Sequence, residues 1–245
     1  MLEPRAMKRT LQCRVGGPRS ALQAIVMAAA LSVTGNAQNA GHAQKRGVVA
    51  KGGLEAKLEY CKTCHGLSAE GYRGYFPMPR LAGQQPEYLE NQLRAFIESR
   101  RTNAIMTNIA RVLSPSMIAG LAAHFGGLDP RPIGGAPRRS LAMGKQIFEE
   151  GLPESNVPAC SVCHGSEGKG QNKVPRLAGQ LYEYTVGQLT GRAKVRGQGS
   201  PVDTTAIMAP TARNLTRSQI EAVAAYVSYL HPFFEAIRVG GDGRA

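Results

Sequence analysis

The sequence contains no tryptophan and few aromatic residues, 6% in all, and its 17 acidic residues stand against 30 basic ones. The formal net charge of +13 is compatible with an acidic protein partner, an anionic membrane surface or a nucleic acid. Because the basic residues are scattered and no nucleic-acid motif is present, nucleic-acid binding is not expected. Beyond residue 43 no apolar run is long enough to cross a membrane.

Residues 1–43 have the pattern of a secretory signal peptide. Basic residues precede the short apolar run "ALQAIVMAAALSV", and small-x-Ala sites end at Ala37 and Ala43. We expect cleavage near residue 37 or 43, with either Met1 or Met7 as the start. Taking five basic residues and one acidic residue from the totals leaves a net charge of +9. We therefore predict a periplasmic protein, soluble or peripherally associated with a membrane.

Cysteine is also scarce: there are five, and one lies in the predicted leader. The other four form two CxxC pairs, each followed by His. An exported protein allows a disulfide within each pair, and zinc could take four thiolates, although a 99-residue separation is far from zinc-finger spacing. Covalent c-type haem also explains the His, since two thiols attach the macrocycle and the His binds iron. A shuffled chain of this composition would contain CxxCH about 0.002 times, so we predict two haem c groups, held at Cys61, Cys64 and His65 and at Cys160, Cys163 and His164.

The remaining chain is a tandem repeat. "PRLAGQ" occurs at Pro79–Gln84 and Pro175–Gln180, and "AIM" occurs at Ala104–Met106 and Ala206–Met208. A segment rich in Pro and Gly separates the two copies. We predict a leader at 1–43, a first domain at 44–127, a linker at 128–139, a second domain at 140–232 and a tail at 233–245.

Apolar stripes at helical spacing, with no alternation of strand length, predict an all-α protein. We expect a helix leading into each CxxCH, within "GLEAKLEYCKTC" and "SLAMGKQIFEEG". Pro86 suits the first position of a helix, and the closing helices are expected to start at Ser114 and at Thr216, where Thr216 and Gln219 fit a capping box.

Haem iron has a second axial position, and a side chain that fills it in both copies is expected at matching positions. Met106 and Met208 match, 41 and 44 residues after their His. Met78 matches Val174, which indicates ordinary apolar packing. A lone Met is more often a core residue, but the register favours Met106 and Met208 as iron ligands.

The residues at the start of "PRLAGQ" have predicted supporting roles. The carbonyl oxygens of Pro79 and Pro175 could accept a hydrogen bond from the imidazole and orient it. Arg80 and Arg176 could pair with haem propionates, or they could be ordinary surface charges.

CxxCH, then "PRLAGQ", then a downstream Met, twice in one exported chain, resembles the dihaem cytochrome c4 family of tandem class I cytochrome c domains. The resemblance covers about Val48 to His231. It implies two small helical domains related by a pseudo-twofold, each wrapped around one haem with His/Met ligation, with the haems near the domain interface. On this basis His65 and Met106 bind one iron, His164 and Met208 bind the other, and the four cysteines carry thioethers.

The resemblance also implies a function. We expect single-electron transfer between respiratory redox partners, with a bc-type complex or a dehydrogenase as donor and a terminal oxidase as acceptor. Filled axial positions leave no site for a substrate, so we expect an electron carrier rather than an enzyme. Two alternatives remain open: an electron-accepting subunit of a periplasmic dehydrogenase, and a dihaem peroxidase, which would need one labile Met.

Overall fold

A computed structural model describes residues 53–194 and 205–231, and the regular structure of these residues is helical. They contain three isolated β-bridges and no strand, which confirms the all-α prediction. The helices are α1 at residues 53–65, α2 at Pro86–Ile97, α3 at Ala104–Arg111, α4 at Pro115–Gly126, α5 at Leu141–Glu149, α6 at Cys160–His164, α7 at Tyr182–Lys194, α8 at Thr205–Arg213 and α9 at Arg217–Tyr229.

Three helices start where the sequence predicts, because their first residues satisfy backbone N–H groups that have no partner within the helix. Pro86 opens α2 and lacks the N–H that would need one. The Ser114 side chain accepts from the backbone N–H of Met117 at the start of α4. Thr216 and Gln219 form both hydrogen bonds of the capping box at the start of α9.

The two CxxCH motifs sit on different helical frameworks. In the first half α1 runs without a break through the motif, as predicted. In the second half the predicted helix within "SLAMGKQIFEEG" is present as α5, but the expectation that it leads into the motif is wrong, because α5 ends at Glu149 and the motif forms the separate short helix α6. The intervening residues explain the break: Gly151 adopts φ +79°, and prolines at 153 and 158 cannot continue a hydrogen-bonded helix.

Each half has its own hydrophobic core. In the first, α1, α2 and α4 contribute Leu58, Leu89 and Ile118. In the second, α5 and α9 pack face to face and bury Phe148 and Val227, among others. All the described residues nevertheless belong to one compact unit. The separate cores support the predicted division into two domains, which itself stays a prediction.

Residues 128–137 form no helix, in keeping with their Pro and Gly content. The predicted leader at 1–43, residues 195–203 and the predicted tail at 233–245 lie outside the described residues. Within the described ranges no single helix is long and apolar enough to span a membrane. Among the described helices, α3 and α4 taken together reach that length and composition, and they are bent by 118°.

Candidate haem sites

Each CxxCH places its two thiols one helical turn apart. Cys61 and Cys64 lie in the last turn and a half of α1, and Cys160 and Cys163 lie in α6. Residues three apart share one face of a helix, so both sulfurs of a pair can reach the same ligand. In each pair the first cysteine is half-buried and the second is exposed. This arrangement fits two thioether bonds to one macrocycle at the rim of each half.

The arrangement of the thiols provides no closed zinc site. Burial raises the pKa of Cys61, and it raises the pKa of Cys160 to about 11. In the described part of the chain no three His, Cys, Asp or Glu side chains cluster as metal ligands. Haem also accounts for the His that follows each CxxC pair, which a disulfide does not.

Each motif His is buried and oriented by a proline carbonyl. His65 and His164 are 7% and 4% exposed. The Nδ1 atom of His65 lies 2.8 Å from the carbonyl oxygen of Pro79, and that of His164 lies 2.8 Å from the carbonyl oxygen of Pro175. A carbonyl only accepts, so Nδ1 carries the proton and Nε2 keeps the lone pair that can bind iron. The predicted role of the prolines as hydrogen-bond acceptors matches this geometry.

Burial also favours the neutral imidazole that a metal needs. It lowers the pKa of His65, an effect that the Pro79 hydrogen bond opposes and the charge of Arg101 reinforces. The loop that follows each His is closed by an equivalent backbone hydrogen bond. The N–H of Gly71 donates to the carbonyl of His65, and that of Gly170 donates to the carbonyl of His164, each at 2.8 Å. The two sites are thus built on one local design.

Met106 and Met208 occupy equivalent places in the fold. Each lies in the first turn of a short helix, α3 or α8, that packs on the long helix before it. Both side chains are half-buried. The Asn103 side chain caps α3 by accepting from the backbone N–H of Met106 at 3.0 Å. Sequence reasoning placed these Met residues before a helix but did not foresee that they lie on one. Their role as iron ligands stays a prediction.

Arg80 and Arg176 are buried, at 3% and 7% exposure, and are therefore not ordinary surface charges. The Nε of each donates to the carbonyl of the residue two positions on, at 2.9 Å in Arg80 and 3.0 Å in Arg176. Their Nη2 atoms both donate to Oδ1 of Asp129, at 3.2 and 3.1 Å. The Nη1 of Arg80 is buried without a partner in the structure, which fits a further anion such as a propionate. The propionate contact itself stays a prediction.

Two glutamines that sequence reasoning missed join the halves. Gln180 accepts from the backbone N–H of Arg80 at 2.8 Å and donates to its carbonyl at 3.0 Å. Gln84 does the same to Arg176, at 2.7 and 3.0 Å. Each Gln is the last residue of "PRLAGQ", so its repetition was the one available signal. The reciprocal pattern is what a pseudo-twofold between the halves produces.

The glycine of "PRLAGQ" explains why these loops can approach so closely. Gly83 and Gly179 both adopt φ +71°, where a side chain is strained. A Cβ on Gly83 would lie 2.5 Å from Nη1 of Arg176, and one on Gly179 would lie 3.0 Å from Cγ of Pro132. Each glycine therefore gives space to a group from outside its own loop.

An all-α fold that carries two CxxCH motifs, each with a buried and oriented His, defines a c-type cytochrome with two haem sites. The family model of cytochrome c matches residues 141–231. The chain is 38% identical to cytochrome c-552 of Acidithiobacillus ferridurans, over 69% of this chain and 73% of that one. It is 36% identical to cytochrome c4 of Thiocapsa roseopersicina, over 72% of this chain and 90% of the relative.

Two further comparisons agree. The thiosulfate dehydrogenase electron acceptor of Thiomonas intermedia is 33% identical, over 69% of this chain and 77% of that protein. The crystal structure of reduced recombinant cytochrome c4 from Pseudomonas stutzeri superposes with a TM-score of 0.64 at 30% identity, covering 73% of this chain and 97% of that one. The chain belongs to the cytochrome c4 family. It is a dihaem c-type electron-transfer cytochrome, with two covalently bound haem c groups, and family membership indicates an exported protein.

Proposed function

We propose that this protein carries single electrons between respiratory redox partners in the periplasm, and that it is not itself an enzyme. The observation that carries the proposal is the duplicated His–Pro hydrogen bond, at 2.8 Å in both halves. Two equally built sites suit a relay rather than one reactive centre. With Met106 and Met208 as sixth ligands, neither iron has an open position for a substrate or for peroxide.

The residues of the chain divide the work of each site. When bound, haem c supplies a one-electron couple between ferric and ferrous iron. Cys61 and Cys64 anchor it in the first half, as their counterparts do in the second. The carbonyl of Pro79 holds the ring of His65 in one orientation and raises its basicity as a ligand. Burial of the ring excludes water, so little reorganisation accompanies a change of charge.

We further propose that the partners present acidic docking surfaces. The excess of basic over acidic residues, a net charge of +9 once the predicted leader is removed, supports steering towards a negative surface. A bc-type complex is the proposed donor and a terminal oxidase the proposed acceptor. Association should then slow as ionic strength rises, because salt screens exposed charges beyond about 10 Å at 0.1 M.

A second candidate is the electron acceptor of a periplasmic dehydrogenase. The name of the Thiomonas intermedia relative, a thiosulfate dehydrogenase electron acceptor, favours it. Stopped-flow reduction of the oxidised protein by a purified thiosulfate dehydrogenase and by a purified bc-type complex separates the two. The faster donor at physiological ionic strength identifies the role.

The axial assignment is tested by Met208→Ala in the haem-loaded protein. We expect one iron to become high-spin and to bind added ligands, with half of the weak ferric absorption of methionine-ligated iron lost, while the other iron is unchanged. The control is Met78→Val, which gives the first half the residue that the second half carries at the matching position. If Met78→Val removes that absorption and Met208→Ala does not, the assignment is wrong.

A further inference from the structure

Three charged groups meet where the two "PRLAGQ" loops face each other. Oδ1 of Asp129 accepts from Nη2 of Arg80 at 3.2 Å and from Nη2 of Arg176 at 3.1 Å. The arginine side chains are 2% and 7% exposed, whereas that of Asp129 is 57% exposed. A single carboxylate oxygen from the segment between the halves thus contacts one buried cation from each half.

Most of the remaining polar groups of the two arginines are bonded within the protein, and Asp129 is the carboxylate that contacts both of them. The backbone of each is bonded to the glutamine of the opposite half, and each Nε donates to a carbonyl of its own loop. These partners are neutral. Among the described residues, Asp129 is the side chain that forms an ion pair with both Arg80 and Arg176.

The electrostatic balance of the cluster is tight. Burial and the neighbouring charge of Arg176 lower the pKa of Arg80 to about 10, and the carboxylates of Asp129 and Glu70 oppose this. Two cations and one carboxylate leave an excess of one positive charge. Removing one partner from a buried pair leaves an uncompensated charge, which is strongly destabilising. Asp129 therefore reduces the repulsion that the pseudo-twofold creates by bringing the arginines together.

The cluster is also tied to both haem sites through the chain. Arg80 directly follows Pro79, whose carbonyl orients His65, and Arg176 directly follows Pro175, whose carbonyl orients His164. A change of charge at Asp129 therefore reaches both sites through its contacts with Arg80 and Arg176. Reduction removes one positive charge from a site, so a more positive surrounding favours the reduced state.

We propose that Asp129 is a positioning residue shared by the two haem sites, which holds Arg80 and Arg176 together across the halves and lowers the reduction potential of both irons. The proposal rests on the proposed function in that His65 and His164 bind the irons. It does not depend on which residues are the sixth ligands, so a failure of the methionine assignment and a failure of this proposal give different results.

The experiment is a spectroelectrochemical titration of the haem-loaded full chain, comparing Asp129→Asn with Glu98→Gln. Both variants lose one negative charge, but Glu98 belongs to an exposed ion pair with Arg100. The titration is run at about pH 8, above the ordinary pKa of His, so that His231, whose Nε2 lies 3.8 Å from Asp129, is neutral in every sample. We expect both midpoint potentials to rise in Asp129→Asn, clearly more than in Glu98→Gln, and to return towards the wild-type values in Asp129→Glu.

A second variant, expected to shift the potentials in the opposite direction, keeps the test valid if Asp129→Asn folds poorly. Arg176→Gln removes one of the two cations, and we expect it to lower both potentials. If both irons of Asp129→Asn keep their wild-type potentials although its spectrum is native, or if one iron alone responds, the shared role is overturned. If Asp129→Asn does not accumulate with haem, a failure of Arg176→Gln to lower both potentials overturns it equally.

Discussion

We expect Gln180→Ala to destabilise the contact between the two halves by more than the loss of side-chain volume alone would. The Gln180 amide makes three hydrogen bonds, all at buried positions. It accepts from the backbone N–H groups of Arg80 and Leu181 at 2.8 and 3.0 Å, and it donates to the carbonyl of Arg80 at 3.0 Å. Alanine replaces none of them, so the variant leaves backbone groups of Arg80 without a partner in the contact between the halves.

The cost follows from the number of groups left unsatisfied. A buried polar group without a partner costs about 1–3 kcal/mol. The N–H and the carbonyl of Arg80 are both affected, and entry of water would reduce the penalty, so we expect about 2–4 kcal/mol of lost stability. Gln84→Ala should cost a similar amount, because Gln84 makes the corresponding bonds to Arg176 and to the N–H of Gln85. The double variant should cost less than the sum, because both substitutions weaken one contact.

The assay is denaturant unfolding of the haem-loaded protein, followed by the haem absorption and by helical circular dichroism. Gln146→Ala is the control, since Gln146 is exposed on α5 and its substitution should stay within about 0.5 kcal/mol of wild type. If Gln180→Ala unfolds at the same denaturant concentration as Gln146→Ala, the hydrogen bonds between the halves contribute nothing measurable. The pseudo-twofold contact would then have to be stabilised elsewhere.

Two further outcomes follow from the packing and the charges of the second half. Gly144→Ala should destabilise the protein by about 1–3 kcal/mol, because a Cβ there would lie 2.1 Å from the carbonyl oxygen of Ala222 on α9. The control is Gly187→Ala, whose Cβ would meet nothing within 4 Å. Equal unfolding midpoints for the two variants would contradict the close packing of α5 on α9. Burial lowers the pKa of His231 from 6.5, an effect that Asp129 opposes, so the folded chain binds fewer protons there than the unfolded chain. This contribution to stability is complete above about pH 6.5 and is lost as the pH falls towards the lowered pKa. His231→Gln should therefore make the unfolding midpoint depend less on pH in that window. An unchanged dependence on pH would refute the assignment.

The local features of the fold were predictable because they depend on neighbours in the chain. The first position of α2 at Pro86 and the capping box at Thr216 follow from residues within four positions of each other. The break between α5 and α6 was predictable in principle from Gly151 and its flanking prolines, but the likeness of the two repeats suggested a continuous path instead. At this position the comparison of the two repeats gave a wrong prediction, whereas the Gly and Pro residues indicated the break.

Around the sites, prediction succeeded within a repeat and failed between repeats. The carbonyls of Pro79 and Pro175 were identified as acceptors because Pro lacks a competing N–H and lies a short loop away from its His. The partner of the Arg80 and Arg176 side chains was not identified, because the carboxylate that they share, Asp129, lies 49 and 47 residues away. No spacing rule connects positions so far apart.

What the sequence by itself determined is the chemistry: two CxxCH motifs in register, an all-α framework and an excess of basic residues. These properties reside in residue types and short spacings, which survive without knowledge of the fold. What only the tertiary structure decided is how the copies meet. The hydrogen bonds from each glutamine to an arginine 92 or 100 residues away, and the carboxylate placed between two buried arginines, depend on packing. Such contacts form only when both halves have buried their apolar faces and have brought distant backbone groups out of water together.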